Sequence, residues 1–237
     1  MTTEKKLDHL TSQLTKAYGS SLLSVVLYGS AAAGDHHARY SDLNILCVLS
    51  RLTLAELDLA EPVFRWWRDQ GNPAPLLLAR DELTASTDCF PIEFHDIRRC
   101  HKILHGEDLV ATLEIHDHYY RAQLEYQLRA KLLRLRQKAP GVLHDKDLLL
   151  ALMADSVSTF ANLARHVLLI SGHDAPISKR DSLPLLHQHF SIDPAPFLTI
   201  LDLREGKLTA KSLDSRTLFA QYLNGVETLA DAVDRLH

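Results

Sequence analysis

Two short apolar runs near the start of the chain, each bounded by turn-forming residues, predict two buried strands. They cover residues 22–28 and 43–49 and are rich in Val, Ile and Leu. A helix is predicted ahead of them, with Thr2 or Thr3 as its N-cap and Gly19 at its end. Its buried stripe would consist of Leu7, Leu10, Leu14 and Ala17.

The pattern after the second strand alternates between helix and strand. Residues 53–70 predict a helix that is interrupted or bent near Pro62. Residues 73–79 predict a third strand, residues 80–86 a short helix, and residues 90–97 a fourth strand. Residues 101–106 would add a short fifth strand. The first 110 residues therefore predict a mixed sheet of four to five strands with flanking helices.

After Gly106 the strand pattern gives way to amphipathic helices. Helices are predicted at residues 119–138 and 147–171, at a segment capped by Asp181 or Ser182 with Pro184 in its first turn, and at residues 214–236. Short connections between such helices are typical of a bundle. We therefore predict an α+β protein with a sheet-containing domain at residues 1–110 and a helical bundle at residues 111–237.

The composition is that of an ordinary globular protein, with 237 residues, 46% hydrophobic and 24% charged, and a net charge of −4. Neither half is strongly basic, which argues against a protein that binds duplex DNA through its phosphates. No uncharged apolar stretch approaches about 18 residues, and the N-terminus lacks the apolar core of a signal peptide, so we expect neither a membrane span nor export. Cys47, Cys89 and Cys100 have no metal-binding spacing and fit reduced thiols in the cytoplasm.

The polar loop between the first two strands carries the candidate chemistry. Gly29 lets the backbone approach a ligand closely, and Ser30 adds a hydroxyl group. Asp42 and Asn44 lie two residues apart at the start of the second strand, so alternation places both on one face. Such oxygen ligands opposite a phosphate seat predict a Mg²⁺ site, because Mg²⁺ favours one or two carboxylates together with substrate phosphates.

This pattern of strand, Gly-Ser corner, loop and second strand resembles the nucleotidyltransferase superfamily typified by DNA polymerase beta and kanamycin nucleotidyltransferase. Gly29, Ser30 and Asp42 match its signature, while Asn44 stands where the family has a second metal-binding Asp. The resemblance implies that Gly29, Ser30 and the neighbouring Ser41 bind a nucleoside triphosphate, with ATP expected. It also implies that Asp42 acts in catalysis and binds Mg²⁺ together with Asn44.

A third acid is expected from the predicted strand at residues 90–97, which offers Glu93 and Asp96. On a strand the two would lie on opposite faces, so only one could point at Asp42. Aminoglycoside-modifying relatives place a Glu in a comparable strand as the base that deprotonates the acceptor. Glu93 is the favoured residue for both the base and the third metal ligand; Asp96, or a carboxylate paired with Arg98 or Arg99, is the alternative.

The substitution at Asn44 leaves the activity open. An amide oxygen brings no negative charge, so two Mg²⁺ ions would be held poorly. One hypothesis is an enzyme that transfers NMP to a hydroxyl of a small molecule or protein. The others are a catalytically silent nucleotide-binding or regulatory module, in which the bundle would mediate homodimer or partner contacts, and a toxin–antitoxin component. Arg180 and His187 loosely resemble the ribonuclease motif of HEPN bundles.

Overall fold

The computed structural model describes residues 1–29, 31–32 and 43–236 and divides the chain into two units, Met1–His116 and Asp117–His237. The first unit combines helices with a four-stranded sheet, and the described part of the second unit is helical. The α+β class predicted from the sequence is therefore confirmed.

The sheet of the first unit has the order β3-β2-β1-β4. β1 (Leu22–Tyr28) lies between two antiparallel neighbours, β2 (Asn44–Leu49) and β4 (His101–Gly106), and β3 (Leu76–Ala79) is parallel to β2. Each of these strands was predicted. The central position of β1 brings the start of β2 and the start of β4 to the same end of the sheet.

Helices cover both faces of this sheet. α1 (Thr3–Tyr18) and α2 (Leu54–Asp69) pack on the face that carries Val25 and Cys47. α1 is capped by Thr2, as predicted, and α2 contains Pro62 without interruption. The short helix α3 (Arg80–Ala85) follows β3, also as predicted.

The strand predicted at residues 90–97 is wrong, because this segment forms a helix, α4 (Pro91–Arg99). Phe90, Ile92 and Phe94 alternate as in a strand, which produced the error. Pro91 begins the helix, where its fixed φ is favourable and its missing N–H costs nothing. Phe94 and Ile97, three residues apart, are buried against the sheet face opposite α1 and α2.

The second unit contains α5 (Asp117–Lys138), α6 (Lys146–Ile170), α7 (Lys179–Ser182), α8 (Leu185–Phe190), α9 (Ala195–Arg204) and α10 (Ser215–Asp234). The helices predicted at residues 119–138 and 214–236 are confirmed as α5 and α10, and each buries one apolar side. The single helix predicted around Pro184 is wrong, because two short helices flank this residue, whose ring nitrogen cannot donate a helical hydrogen bond. α9 was not predicted.

By length and composition, α6 is the one described helix that could cross a membrane. This is weak support for a span, because the core helix of a folded unit passes the same test. Buried residues extend along α6 from Leu149 to Leu168, and the helix contacts α5, α9 and α10. Its apolar character is therefore accounted for by packing within the helical unit.

Gly225 of α10 gives a stability prediction for the helical unit. A Cβ at this position would lie 2.7 Å from Cε2 of Phe197, a fully buried ring on α9. We expect Gly225→Ala to lower the free energy of unfolding by about 1–2 kcal/mol, because overpacking outweighs the better helix propensity of Ala. Urea unfolding measures this. Phe197→Leu makes room for the added methyl group, so Gly225→Ala should lower the free energy of unfolding by less in that background. Equal stability of Gly225→Ala and the wild type would contradict the predicted clash.

Candidate functional site

A tight turn follows β1 and forms the corner predicted from the sequence. Gly29 has a φ of +78°, a left-handed conformation that favours glycine, and its carbonyl accepts a hydrogen bond from the Ala32 N–H at 3.0 Å. A Cβ added to Gly29 would lie 3.3 Å from Nδ2 of Asn44. The backbone corner and the Asn44 amide are therefore close neighbours.

Strand pairing places three side chains in a row across this end of the sheet. Tyr28, the last residue of β1, pairs with Asn44 on β2 and with His101 on β4. Residues directly opposite each other in antiparallel strands project from the same face. Val26 and Leu46, two residues along from Tyr28 and Asn44, pack with Phe94 of α4. The row therefore lies on the face that α4 covers.

Glu93 lies in the first turn of α4 and is exposed. Burial raises the pKa of the Tyr28 hydroxyl above its ordinary value, and the negative charge of Glu93 raises it further. The Glu93 carboxylate is thus close enough to act on Tyr28, the direct neighbour of Asn44 in the sheet. Glu93 thus acts on Tyr28 from a helix, whereas the sequence analysis expected it on a strand.

The helix also changes the relation between the two candidate acids. Glu93 and Asp96 were expected on opposite faces of a strand, whereas three residues on a helix place them on adjacent sides of one surface. β3, the strand that pairs with β2, consists of Leu76, Leu77, Leu78 and Ala79 and carries no acid. Of the two candidate acids, Glu93 is one whose charge acts on Tyr28, a member of the row.

His101 joins α4 to the sheet. Its Nδ1 lies 2.9 Å from the carbonyl oxygen of Ile97, and its Nε2 lies 3.1 Å from Oδ2 of Asp108. Burial alone would raise the pKa of Asp108, but hydrogen bonds from His101 and from the Ala111 N–H hold it below its usual value. His101 thus completes the last turn of α4, where carbonyl groups otherwise lack partners.

Two further contacts fix the surroundings of this corner. Nη1 of Arg98 donates a hydrogen bond to the Leu113 carbonyl at 2.9 Å, which ties α4 to the segment after β4. The Cys100 thiol faces the Gly29 carbonyl at 4.0 Å. The position of Tyr28 and His101 beside Asn44 was not predicted, because strand register cannot be obtained from a single sequence.

The predicted site residues are described unequally by the structure. Gly29, Asn44 and Glu93 are described, and they lie at one end of the sheet or on the helix that covers it. Ser30, Ser41 and Asp42 lie outside the described residues. Within residues 1–29, 31–32 and 43–236, no group of three or more His, Cys, Asp and Glu side chains could hold a metal ion. The predicted metal site therefore depends on Asp42.

In the helical unit, polar groups are engaged in structural contacts. His166 is fully buried, with Nδ1 2.6 Å from the Tyr120 hydroxyl and Nε2 3.1 Å from Nη2 of Arg165, which links α5 to α6. Arg180 binds Asp202 and Glu205 at 2.7 Å and 2.8 Å. This ion pairing accounts for Arg180 without the HEPN-like role that the sequence suggested.

Comparison with known proteins finds a solved structure with a similar fold. No protein-family model matches the chain, and no curated protein matches it in sequence. Among solved structures, the chain is similar to spectinomycin adenyltransferase AAD(9) from Enterococcus faecialis, whose crystal structure contains ATP and spectinomycin. The TM-score is 0.61 at 13% sequence identity, and the match covers 95% of this chain and 100% of the adenyltransferase. The chain therefore has a nucleotidyltransferase-like fold.

Proposed function

We propose that this protein binds ATP with Mg²⁺ and transfers AMP to a hydroxyl group of a small molecule. The observation that carries this proposal is the fold similarity, which extends over 95% of the chain to an adenyltransferase solved with ATP and an acceptor. The left-handed turn at Gly29 beside Asn44 supports it, because a phosphate seat needs close backbone approach and a polar neighbour.

Each candidate site residue has a proposed role in the reaction. Gly29, Ser30 and Ser41 seat the triphosphate, while Asp42 and Asn44 would hold the metal ion beside it. Glu93 takes the proton from the acceptor hydroxyl as the hydroxyl oxygen attacks the α-phosphorus. The new oxygen–phosphorus bond forms while the bond to the β-phosphate breaks, and pyrophosphate leaves. The protein contributes mainly the positioning of the reactants and the neutralisation of charge.

The donor set fits a single Mg²⁺ better than two. Asp42 supplies one carboxylate, whereas Asn44 supplies only a neutral amide oxygen. Magnesium is commonly held by one or two carboxylates with substrate phosphates, and a second ion would need more negative charge. When bound, the ion would neutralise and orient the phosphate chain. Glu93 remains available as the base in a one-metal site.

Restoring the missing charge should change the metal count. With a non-hydrolysable ATP analogue present, we expect Asn44→Asp to bind a second Mn²⁺ at least about tenfold more tightly than the wild type, because it adds a charge a few ångströms from the ion. Electron paramagnetic resonance of free Mn²⁺ measures stoichiometry and affinity. Asn72→Asp adds the same charge beyond α2 and should have no effect. Equal Mn²⁺ binding by Asn44→Asp and the wild type would contradict this metal site.

A silent nucleotide-binding module is the second candidate, and Asn44 is the observation that favours it. Isothermal titration of ATP with and without Mg²⁺, followed by a pyrophosphate-release assay over hydroxyl acceptors including spectinomycin, separates the two. Magnesium-dependent binding with acceptor-dependent release supports the transferase. Binding without release by the wild type, and no release by Asn44→Asp, supports the silent module. Absence of ATP binding would overturn both.

A further inference from the structure

His101 lies at the junction of the sheet and α4, yet neither the sequence pattern nor the proposed reaction assigns it a role. It pairs with Tyr28 in the sheet and therefore belongs to the row that contains Asn44. Its Nδ1 lies 2.9 Å from the Ile97 carbonyl oxygen, within hydrogen-bond distance and one helical turn after Glu93. A single side chain thus connects the strand end beside the corner to the helix that carries the proposed base.

The contact satisfies a real structural need of α4. This helix has only nine residues, so its stability depends on its ends and on packing. Cys100 N–H donates to the Asp96 carbonyl, and the His101 ring serves the next carbonyl, that of Ile97. Asp108 holds the opposite edge of the ring at 3.1 Å and 3.2 Å, which fixes the orientation of the imidazole.

We propose that His101 is a positioning residue, which fixes the last turn of α4 through its Nδ1 bond to Ile97 and thereby holds Glu93 over the Asn44 end of the sheet. This inference rests on the proposed function for the role of Glu93. Asp108 acts on the same helix indirectly by orienting the ring. A catalytic carboxylate displaced by about an ångström loses much of its effect, so rigid support of α4 matters for rate more than for nucleotide binding.

The two ring nitrogens can be tested separately with amide side chains. In His101→Asn the amide NH₂ takes the place of Nδ1 and keeps the bond to Ile97, whereas in His101→Gln the amide reaches towards Asp108 and loses that bond. We expect His101→Gln to lower kcat about tenfold with an unchanged Kd for ATP, and His101→Asn to stay within about twofold of the wild type. His105→Asn, on the same strand, is the control and should match the wild type.

Amide hydrogen exchange of α4 gives a readout that needs no acceptor. In His101→Gln the amides of α4 should exchange on the order of fivefold faster than in His101→Asn, because one hydrogen bond at the helix end is lost. A purely structural role would lower the melting temperature of both variants while their kcat and α4 exchange stayed alike, and that result would overturn the proposal. Absence of pyrophosphate release in the wild type would count against the proposed function, while the exchange data would still decide whether His101 holds α4.

Discussion

Glu93→Gln is expected to lower the rate of nucleotidyl transfer about 10²- to 10⁴-fold, the usual contribution of a positioned general base. The amide has nearly the same size as the carboxylate but cannot accept the acceptor's proton, and it removes a charge that would also support a metal ion. Glu93 is exposed in the first turn of α4, so the substitution leaves the buried residues Phe94 and Ile97 in place. Pyrophosphate release with a productive acceptor measures the effect.

Two further variants make this result specific. Glu114→Gln, an exposed acid on the segment after β4, removes the same charge elsewhere in the first unit and should retain full activity. Asp96→Asn tests the other acid considered from the sequence and should retain most of the activity. Full activity in Glu93→Gln, with loss in Asp96→Asn, would move the role of base to Asp96.

Gly106→Ala is expected to lower the free energy of unfolding of the first unit by about 3–5 kcal/mol, a value found only for severe steric or backbone defects. Gly106 ends β4 with a φ of +75°. A Cβ there would lie 1.9 Å from the carbonyl oxygen of Leu23 and 2.8 Å from its carbonyl carbon. Both obstacles are backbone atoms of β1, so the clash is relieved only by separating β1 from β4.

Gly71→Ala is the matched control for backbone conformation. Gly71 has a similar φ of +82°, but its Cβ would meet no atom within 4 Å. This variant should therefore cost only the strain of a left-handed Ala, about 1–2 kcal/mol. Urea unfolding of both variants separates the clash from the strain. Equal losses in the two would show that contact with Leu23 contributes nothing.

Clear periodicity accounts for the elements that the sequence predicted well. β1 and β2 are mostly apolar because helices cover both faces of the sheet, and α5 and α10 carry regular apolar stripes because one side of each is buried. Thr2 and Asp214 cap their helices through side-chain hydrogen bonds. A short polar residue just before an apolar run commonly marks such a helix start in a sequence.

The elements that were predicted wrongly or missed lie in segments whose residues favour more than one secondary structure. Residues 90–94 alternate like a strand, but Pro91 favours a helix start and Ile97 continues a three-residue spacing from Phe94. Pro184 divides a segment that otherwise has helical character. In α9, Pro194 and Pro196 near the start obscure a helix whose buried residues Phe197, Ile200 and Leu201 have helical spacing.

The candidate site was predictable only in its local part. Gly29 and Asn44 are close along the chain and meet where β1 pairs with β2, and the sequence motif contains both. Tyr28 and His101 become neighbours through pairing between β1 and β4, which are far apart along the chain. Glu93 was favoured because similar enzymes place a Glu in a comparable strand, while its helical setting depends on tertiary packing that alternation does not reveal.

The claim that nucleotide and metal bind at the corner formed by Gly29 and Asn44 is tested most directly by a crystal structure with a non-hydrolysable ATP analogue and Mn²⁺. We expect the triphosphate to lie against the backbone at Gly29 and Ser30, with one Mn²⁺ bound by the phosphate oxygens and by Asp42 and Asn44. An analogue bound elsewhere, or Asp42 engaged in a buried ion pair away from this corner, would contradict it.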